Sequence, residues 1–165
     1  MAREPKKTIY TPKNPEKYLG SNIDNIVMRS SWEFAFARIC DTHPSIKFWS
    51  SECIQIPYRH PIKGRYTVYI PDFLVIYMDK NGGTHAELIE IKPEKESGMH
   101  RNIHETRSPR DKASILVNNS KWAAAQAYCK RHNMFFRVMT ESDLFAQTKK
   151  SSPKPRKRPA VRKKV

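Results

Sequence analysis

The sequence has only three cysteines among its 165 residues, and no uninterrupted apolar run approaches the length of a membrane span. Because Cys40, Cys53 and Cys129 are widely spaced, they form neither a zinc-ligand pattern nor a disulfide framework. We therefore expect reduced, mostly buried thiols, as in a cytosolic protein. A transmembrane helix needs about 20 apolar residues and a signal peptide needs an apolar core, so the sequence predicts a soluble protein without membrane contact.

Acidic residues are scarce as well. The chain has 31 lysines and arginines against 16 aspartates and glutamates, which gives a net charge of +15. Nine of the basic residues and none of the acidic ones lie in residues 149–165, so residues 1–148 carry a charge of +6. Such a charge favours a polyanionic partner. Nucleic acid is favoured over a membrane surface because no amphipathic basic helix is evident.

Composition along the chain predicts one domain between two extended ends. Residues 1–22 are rich in proline and lysine and are expected to form an extended arm. Four apolar residues of this arm are expected to dock on the domain: Ile9, Tyr10, Tyr18 and Leu19. Residues 23–148 are predicted to form the domain, with a length suited to a single core. Residues 149–165 are predicted to be a disordered basic tail, which acts as a DNA-binding arm, a docking peptide or a solubilising end.

Apolar periodicity and capping residues predict the order helix, three strands, helix, strand, helix. The first helix is expected to begin at a cap on Ser30 or Ser31 and to end near Thr42. The second is expected to run from a cap on Asp111 to about His132. Its apolar face is predicted to comprise Ile115, Leu116, Trp122, Ala123 and Cys129. A short strand at 135–139 and a closing helical turn at 141–145 complete the prediction.

Residues 66–93 carry the most informative pattern. Two runs of β-branched and aromatic residues flank an Asn-Gly-Gly turn, which predicts a hairpin with Asp72 in its first strand. In the second strand, the period of two places Glu90 and Lys92 on one face. Charged groups in apolar strands are costly unless a metal ion or a partner compensates them. The alternative is an ordinary ion pair on a solvent-facing strand.

The chemistry to which this pattern points is phosphodiester hydrolysis. A hard cation that polarises phosphate and water takes carboxylate and carbonyl oxygens, and Asp72, Glu90 and the backbone carbonyl of Ile91 offer them from adjacent strands. Lys92 lies roughly 7 Å beyond Glu90 along the strand, where it would hold or deprotonate water and stabilise phosphate charge. Glu33 is a further acidic candidate, or simply a first-turn glutamate that suits the helix dipole.

The segments Ile-Pro-Asp72 and Glu90-Ile-Lys92, preceded by Glu33 on a helix, resemble the PD-(D/E)XK nuclease superfamily. Four segments are similar to the endonuclease subunit of heteromeric transposases: Ser30-Ser-Trp-Glu33, Pro71-Asp-Phe-Leu74, Lys121-Trp-Ala-Ala-Ala125 and Phe136-Arg-Val-Met-Thr-Glu-Ser-Asp-Leu144. Two others look like the head-completion proteins of T-even-type phages: Tyr10-Thr-Pro-Lys-Asn-Pro-Glu-Lys-Tyr-Leu-Gly20 and Arg29-Ser-Ser-Trp-Glu33. The resemblance covers residues 9–145 and leaves out the basic tail.

This resemblance implies an α/β fold with a restriction-endonuclease-like core, in which helices flank a mixed central sheet. It implies cleavage of double-stranded DNA with Mg²⁺ or Mn²⁺ and without a small-molecule cofactor. By position, Asp72, Glu90 and the Ile91 carbonyl become metal ligands, Lys92 the catalytic lysine, and Glu33 the helix acid that completes the metal site directly or through water. The transposase branch often has glutamine in place of Glu90, and both residues keep an oxygen ligand.

Three functions follow as hypotheses. The first is a phage head-completion endonuclease that acts on packaged DNA ends beside portal or neck proteins, in the host cytoplasm during assembly or within the virion. The second is a non-catalytic basic adaptor at the head–tail junction, and the third is the DNA-cutting subunit of a transposase. The complete charged triad favours a nuclease, and the small size favours a phage protein. Basic residues near the proposed site are expected to contact DNA, unless they form only a solvated face: Arg101, Arg107, Arg110, Lys112 and Lys121.

Overall fold

The computed structural model describes residues 7–96 and 108–144. Two α-helices are present there, α1 (Ser31–Thr42) and α2 (Pro109–Arg131), and residues 141–144 form a further helical turn. The strands of the described residues are β1 (Thr8–Tyr10), β2 (Ile26–Met28), β3 (Ile46–Ser51), β4 (Ile56–Arg59), β5 (Tyr66–Tyr69), β6 (Phe73–Met78), β7 (Thr84–Ile91) and β8 (Phe135–Met139). Short 3-10 turns lie at Pro15–Lys17, Ile23–Asn25 and Glu94–Glu96.

The central sheet has four strands in the order β3–β6–β7–β8. β6 pairs antiparallel with both β3 and β7, whereas β8 pairs parallel with β7. A parallel pair needs a crossover connection, and α2 lies in the connection between β7 and β8. The sheet is therefore mixed and the fold is α/β, as predicted. Its helices and central strands follow the predicted order α-β-β-β-α-β-α.

The predicted hairpin is shorter than residues 66–93, because its first apolar run is divided between two sheets. β5 pairs antiparallel with β4 and builds a separate two-stranded sheet. β6 begins only at Phe73, after Pro71, which has no N–H to donate to a ladder. Asp72 therefore stands in a bend before β6, and the prediction that it lies within a strand is wrong.

Both faces of the central sheet are covered. On one face, Phe73 and Ile89 pack in a cluster with buried residues of α1, β1 and β2. On the other face, Leu88 packs in a second cluster with Ala125 of α2. The alternation along β7 agrees with the predicted faces. Because Glu90 is only 5% exposed, the alternative of an ion pair on a solvent-facing strand is excluded.

The first residue of α1 agrees with the prediction, whereas the first residue of α2 does not. Ser30 caps α1, since its Oγ accepts the N–H of Glu33 at 3.1 Å, and this confirms the predicted start. The cap of α2 is Ser108, whose Oγ accepts the N–H of Asp111 at 3.4 Å. The predicted cap on Asp111 is therefore wrong. Pro109 opens the helix, where a missing N–H costs nothing.

The buried side of α2 is narrower than its sequence suggested. Ile115 and Cys129 are buried as predicted, but Leu116 and Ala123 are exposed. Only a limited stripe of this helix meets the two sheets, so residues beside the stripe face solvent. The closing helical turn follows Thr140, whose N–H donates to the Asp143 carboxylate at 2.9 Å.

The described part of the predicted arm is built into the core. β1 pairs with β2, and Tyr10 and Tyr18 lie in the same apolar cluster as α1. This confirms their predicted docking. Ile9 and Leu19, which were also expected to dock, are about half exposed, at 48% and 51%.

Asp41, near the end of α1, binds residues 10–17 of the N-terminal segment through hydrogen bonds. Its carboxylate is 0% exposed and accepts the Tyr10 hydroxyl at 2.9 Å, the Lys13 N–H at 2.7 Å and the Asn14 N–H at 3.0 Å. The Lys17 ammonium donates to the Asp41 carbonyl at 2.9 Å. One buried acid thus joins a segment roughly 30 residues upstream to the helix.

Several predictions fall outside the described residues, namely the DNA contacts of Arg101 and Arg107 and the disorder of residues 149–165. The division of the chain after residues 22 and 148 stays a prediction. In the described ranges, no helix is long and apolar enough to cross a membrane. Cys40 and Cys129 are buried free thiols, whereas Cys53 is an exposed one.

Candidate active site

Asp72 is held at one end of the central sheet by the strands on either side. Its Oδ2 atom accepts the backbone N–H of Ile91, at the end of β7, at 2.7 Å. Its backbone carbonyl accepts the N–H of Glu52, which follows β3, at 3.0 Å. Asp72 and Ile91 are 19 residues apart in the chain, and the sheet brings them into direct contact.

Glu90 is held by two side chains. Its Oε2 atom accepts the hydroxyl of Tyr69 at 2.9 Å, and its Oε1 atom lies 3.1 Å from Nζ of Lys92. Glu90 and Lys92 therefore lie together, as predicted. Tyr69 is the last residue of β5, so the small sheet contributes directly to this site. Burial, and then the charge of Glu90, raise the pKa of Tyr69, which keeps its hydroxyl protonated as a donor.

Successive backbone N–H groups at the end of β7 point to opposite sides of the strand, one to Asp72 and the next to β8. The N–H of Ile91 turns to Asp72, and the N–H of Lys92 donates to the carbonyl of Met139, on β8, at 2.9 Å. In a strand, the N–H and the C=O of one residue point to the same side. The Ile91 carbonyl therefore points to the side of Asp72, which is where the sequence predicts a metal ligand.

The electrostatics of the site favour added positive charge. Burial raises the pKa of Asp72 to about 8, aided by the negative charges of Glu90 and Glu33 and opposed by the Ile91 N–H and Lys92. Burial alone would lower the pKa of Lys92, but the charge and hydrogen bond of Glu90, together with the charges of Asp72 and Glu96, outweigh it and raise that pKa. Lys92 is therefore a cation at neutral pH. The single ammonium does not offset the repulsion between the acids.

The negative charge of Glu33 contributes to the raised pKa of Asp72. The Glu33 carboxylate also accepts hydrogen bonds at the start of α1. Its Oε1 atom accepts the Ser30 hydroxyl at 3.0 Å, and its Oε2 atom accepts the Arg29 N–H at 2.8 Å. Together with the Ser30 cap, these bonds resemble a capping box, except that Glu33 accepts the backbone N–H of Arg29 instead of that of Ser30. Glu33 thus adds negative potential to the site while both of its oxygens have hydrogen-bond donors.

Three residues of the site were not predicted from the sequence: Arg29, Glu52 and Tyr69. Arg29 forms an ion pair with Glu52, and Glu52 has a φ of +49°, an unusual value for a residue other than glycine. That conformation accompanies its hydrogen bond to the Asp72 carbonyl. The one sequence signal for Tyr69 is Pro71, which separates its strand from the next one.

Among the basic residues predicted to contact DNA, Lys121 lies beside the site. Its Nζ atom is 5.6 Å from the centroid of the Tyr69 ring, within range of a cation–π interaction. Arg110 and Lys112 are exposed in the first turns of α2. Helical geometry puts Arg110 on the same face as Lys121, roughly 16 Å along the axis, and Lys112 on the opposite face.

The residues fit a metal ion that requires few protein ligands. In the part of the chain that the structure describes, no three His, Cys, Asp or Glu side chains converge on one point. Asp72, Glu90 and the Ile91 carbonyl offer only oxygen, which suits Mg²⁺ and Mn²⁺. Mg²⁺ keeps several waters and is often held by one or two carboxylates. Burial, and then the charge of Glu90, raise the pKa of Asp72, and a bound cation would favour its ionised form.

Comparison with known proteins identifies the family of the chain. Residues 43–141 match the family described as TnsA-like endonuclease N terminal, a range that includes Asp72, Glu90 and Lys92 but not Glu33. The chain is also 34% identical over 143 residues to the head completion nuclease of Enterobacteria phage T4, covering 83% of this chain and 92% of that protein. Both matches support a nuclease role and confirm the resemblance seen in the sequence motifs. The chain therefore belongs to the TnsA-like endonuclease N-terminal family, which is PD-(D/E)XK-like.

Proposed function

We propose that the protein is a Mg²⁺- or Mn²⁺-dependent endodeoxyribonuclease that cuts at a site formed by Asp72, Glu90 and Lys92. The observation that carries the proposal is geometric: Asp72, fixed by the Ile91 N–H at 2.7 Å, lies at the end of the sheet where the buried Glu90 carboxylate is 3.1 Å from the Lys92 ammonium. The raised pKa of Asp72 agrees with this arrangement. A structural ion pair would need only Glu90 and Lys92, and an additional acid would make it less stable. Perturbed acids that share one site are typical of catalytic centres.

Each residue has a distinct task in hydrolysis. When bound, Mg²⁺ or Mn²⁺ polarises the phosphate and activates water. Asp72, Glu90 and the Ile91 carbonyl would hold the ion, with Glu33 acting from a greater distance. The Ile91 N–H orients Asp72, and the Tyr69 hydroxyl orients Glu90. The Lys92 ammonium stabilises negative charge that develops on the phosphate in the transition state.

The similarity to the T4 protein extends the proposal to virus assembly. That relative is a head completion nuclease. We infer that this protein cuts double-stranded DNA at the ends of a packaged phage genome, in the host cytoplasm or in the virion, beside portal or neck proteins. The excess of basic residues supports duplex DNA as the substrate, because lysine and arginine bind its phosphates without regard to sequence.

A non-catalytic adaptor at the head–tail junction is the second candidate. Both carboxylate oxygens of Glu90 already have partners, Tyr69 and Lys92, as they would in a purely structural network. In that function the basic surface would bind a DNA end and no bond would break. A transposase subunit is a third candidate, supported by the family match over residues 43–141.

The test is cleavage of linear and supercoiled DNA in Mg²⁺, Mn²⁺ or EDTA by the wild type, Glu90→Ala and Lys92→Ala. We expect metal-dependent cutting by the wild type and none by the two variants. Glu90→Ala loses a metal ligand, and Lys92→Ala loses the positive charge at the phosphate. Glu16→Ala is the matched control, because it removes an exposed carboxylate from the N-terminal segment. It should cut like the wild type.

Cutting by either site variant at the rate of the wild type would refute the site assignment. Absence of cutting with every metal, together with DNA binding that weakens steeply with salt, would instead favour the adaptor. Circular dichroism of the variants would confirm that the fold is intact in each case.

A further inference from the structure

The small sheet formed by β4 and β5 turns one face to the active site. Ile56, Tyr58 and Tyr69 lie on that face and are buried. The Tyr69 hydroxyl bonds to Glu90 at 2.9 Å, so this sheet has a defined position relative to the proposed catalytic residues.

The opposite face of the same sheet is exposed. Pro57 pairs with Val68 and Arg59 with Tyr66, and all four residues are exposed. Tyr66 is 76% exposed and Val68 is 50% exposed. Neighbouring apolar and aromatic side chains left open on a regular strand are typical of a binding surface.

The turn that joins β4 to β5 makes this surface basic. Arg59, Lys63 and Arg65 are exposed, and the sequence has no acidic residue between Glu52 and Asp72. Within the described residues, none of the three cations forms an ion pair. Arg59 uses one of its five N–H donors on a carbonyl of the turn, at 3.4 Å.

Hydrogen bonds inside the turn define its shape. The His60 N–H donates to the Arg65 carbonyl and the Gly64 N–H to the His60 carbonyl, both at 2.9 Å. Nδ1 of His60 accepts the N–H groups of Ile62 and Lys63 at 3.3 and 3.2 Å. Gly64 has a φ of +66°, which a residue with a side chain rarely adopts. The cations are therefore carried on an ordered turn.

We propose that residues 56–69, the β4–β5 hairpin, form a contact surface for duplex DNA beside the catalytic site. Arg59, Lys63 and Arg65 bind phosphates, and Tyr66 and Val68 pack against the sugar edges of the groove. A two-stranded β-ribbon is narrow enough to enter the major groove of B-DNA. The unpaired positive charge is complementary to DNA and binds it without sequence choice.

This inference rests on the proposed nuclease function, because that function supplies the substrate. Tyr66 and Tyr69 belong to one strand and lie about 10 Å apart. Hairpin contacts would therefore fall close to the scissile phosphate and would orient the duplex over Asp72 and Glu90. Arg110, roughly 16 Å along α2 from Lys121, would then bind a different part of the duplex.

The experiment measures binding of the full-length protein to a fluorescently labelled linear DNA duplex in EDTA over a series of salt concentrations. The hairpin variant combines Arg59→Gln, Lys63→Gln and Arg65→Gln. The control variant combines Arg38→Gln, Lys47→Gln and Lys80→Gln, which remove equal charge from exposed positions outside the hairpin. We expect the hairpin variant to lose tenfold or more in affinity, with a salt slope smaller by about 2 to 3, and the control to change little.

Tyr66→Ala separates apolar contact from charge. It should weaken binding several-fold and leave the salt slope unchanged, because tyrosine neutralises no phosphate. Equal losses in the hairpin and control variants would overturn the proposal, since they would show only a general effect of charge. Unchanged binding by the hairpin variant would also overturn it.

Binding in EDTA does not depend on cleavage, so the nuclease function and the hairpin contact can each be refuted without the other. A wild type that binds through the hairpin but never cuts with Mg²⁺ or Mn²⁺ would refute the nuclease and support the hairpin contact. A wild type that cuts while the hairpin variant binds and cuts normally would refute only the hairpin contact. All the substituted side chains are exposed, and thermal melting checks that each variant is folded.

Discussion

Asp41 and Asp72 show two different environments for an aspartate within one fold. Asp41 is fully buried and accepts one hydroxyl and two backbone N–H groups from residues 10–14. Burial alone would raise the pKa of Asp41, but these donors hold it below its ordinary value. The carboxyl group of Asp72 accepts one backbone N–H, has acidic neighbours, and has a raised pKa.

Burial raises the pKa of both acids, and only Asp41 has enough hydrogen-bond donors to outweigh it, which distinguishes the structural acid from the candidate functional one. A carboxylate surrounded by donors is stable as an anion and needs no ligand. A carboxylate that faces other acids is stable only when protonated or when a cation is present.

Asp72→Asn should reduce DNA cutting by at least about a thousandfold, equivalent to roughly 4 kcal/mol of transition-state stabilisation. The neutral amide keeps the shape of the side chain but removes the charge needed to hold a cation. The rate of cutting in Mg²⁺ is the measurement. Asp79→Asn is the control, because Asp72 and Asp79 flank β6 at opposite ends. If both variants cut equally well, Asp72 is not a functional acid.

Asp41→Ala should lower the free energy of unfolding by about 3 kcal/mol, because it leaves several buried donors without an acceptor. The measurement is urea denaturation followed by tryptophan fluorescence. Asp24→Ala, at an exposed position in a 3-10 turn, should have an effect near zero. A loss at Asp41 as small as that at Asp24 would contradict its assigned role.

Tyr69→Phe should weaken Mn²⁺ binding about tenfold, because a residue that orients a metal ligand typically contributes that much. Calorimetric titration with Mn²⁺ measures this without reference to cutting. Tyr58→Phe is the matched control, since Tyr58 lies in the same sheet and apolar cluster. Equal Mn²⁺ affinities for the two variants would show that Tyr69 only fills space.

Asp72→Asn should also stabilise the metal-free protein near pH 8. The folded pKa of Asp72 is raised to about 8, so its contribution to stability is greatest at low pH and is lost as pH rises toward 8. The gain from asparagine should therefore grow between about pH 4 and pH 8. Thermal melting in EDTA across this range is the measurement. A gain that shrinks with rising pH would contradict the raised pKa.

The parts of the molecule that local patterns encode could be predicted from the sequence. The start of α1 follows from Ser30 and Glu33, three residues apart, whose mutual hydrogen bonds need no distant partner. The turn between β6 and β7 follows from its glycines. The pairing of Asp72 with the end of β7 followed from a motif in which both strands are adjacent in the chain.

Contacts that depend on how separate sheets pack could not be predicted. Tyr69 belongs to a run that looked continuous with β6, and only pairing with β4 turns it toward Glu90. The ion pair between Arg29 and Glu52 joins two loops whose approach no local pattern specifies. β1 has three residues, which is too short for a periodic signal.

The parallel pairing of β8 with β7 has a consequence for a protein made from its N-terminus. The N–H of Lys92 bonds to the carbonyl of Met139, so the backbone of this lysine is held by a residue translated much later. A ribosome that has produced Asp72 and Glu90 has not yet produced β8. The backbone contact that holds Lys92 therefore forms only after β8 has been made, so the proposed site is completed late in synthesis, after its two acids are already in the chain.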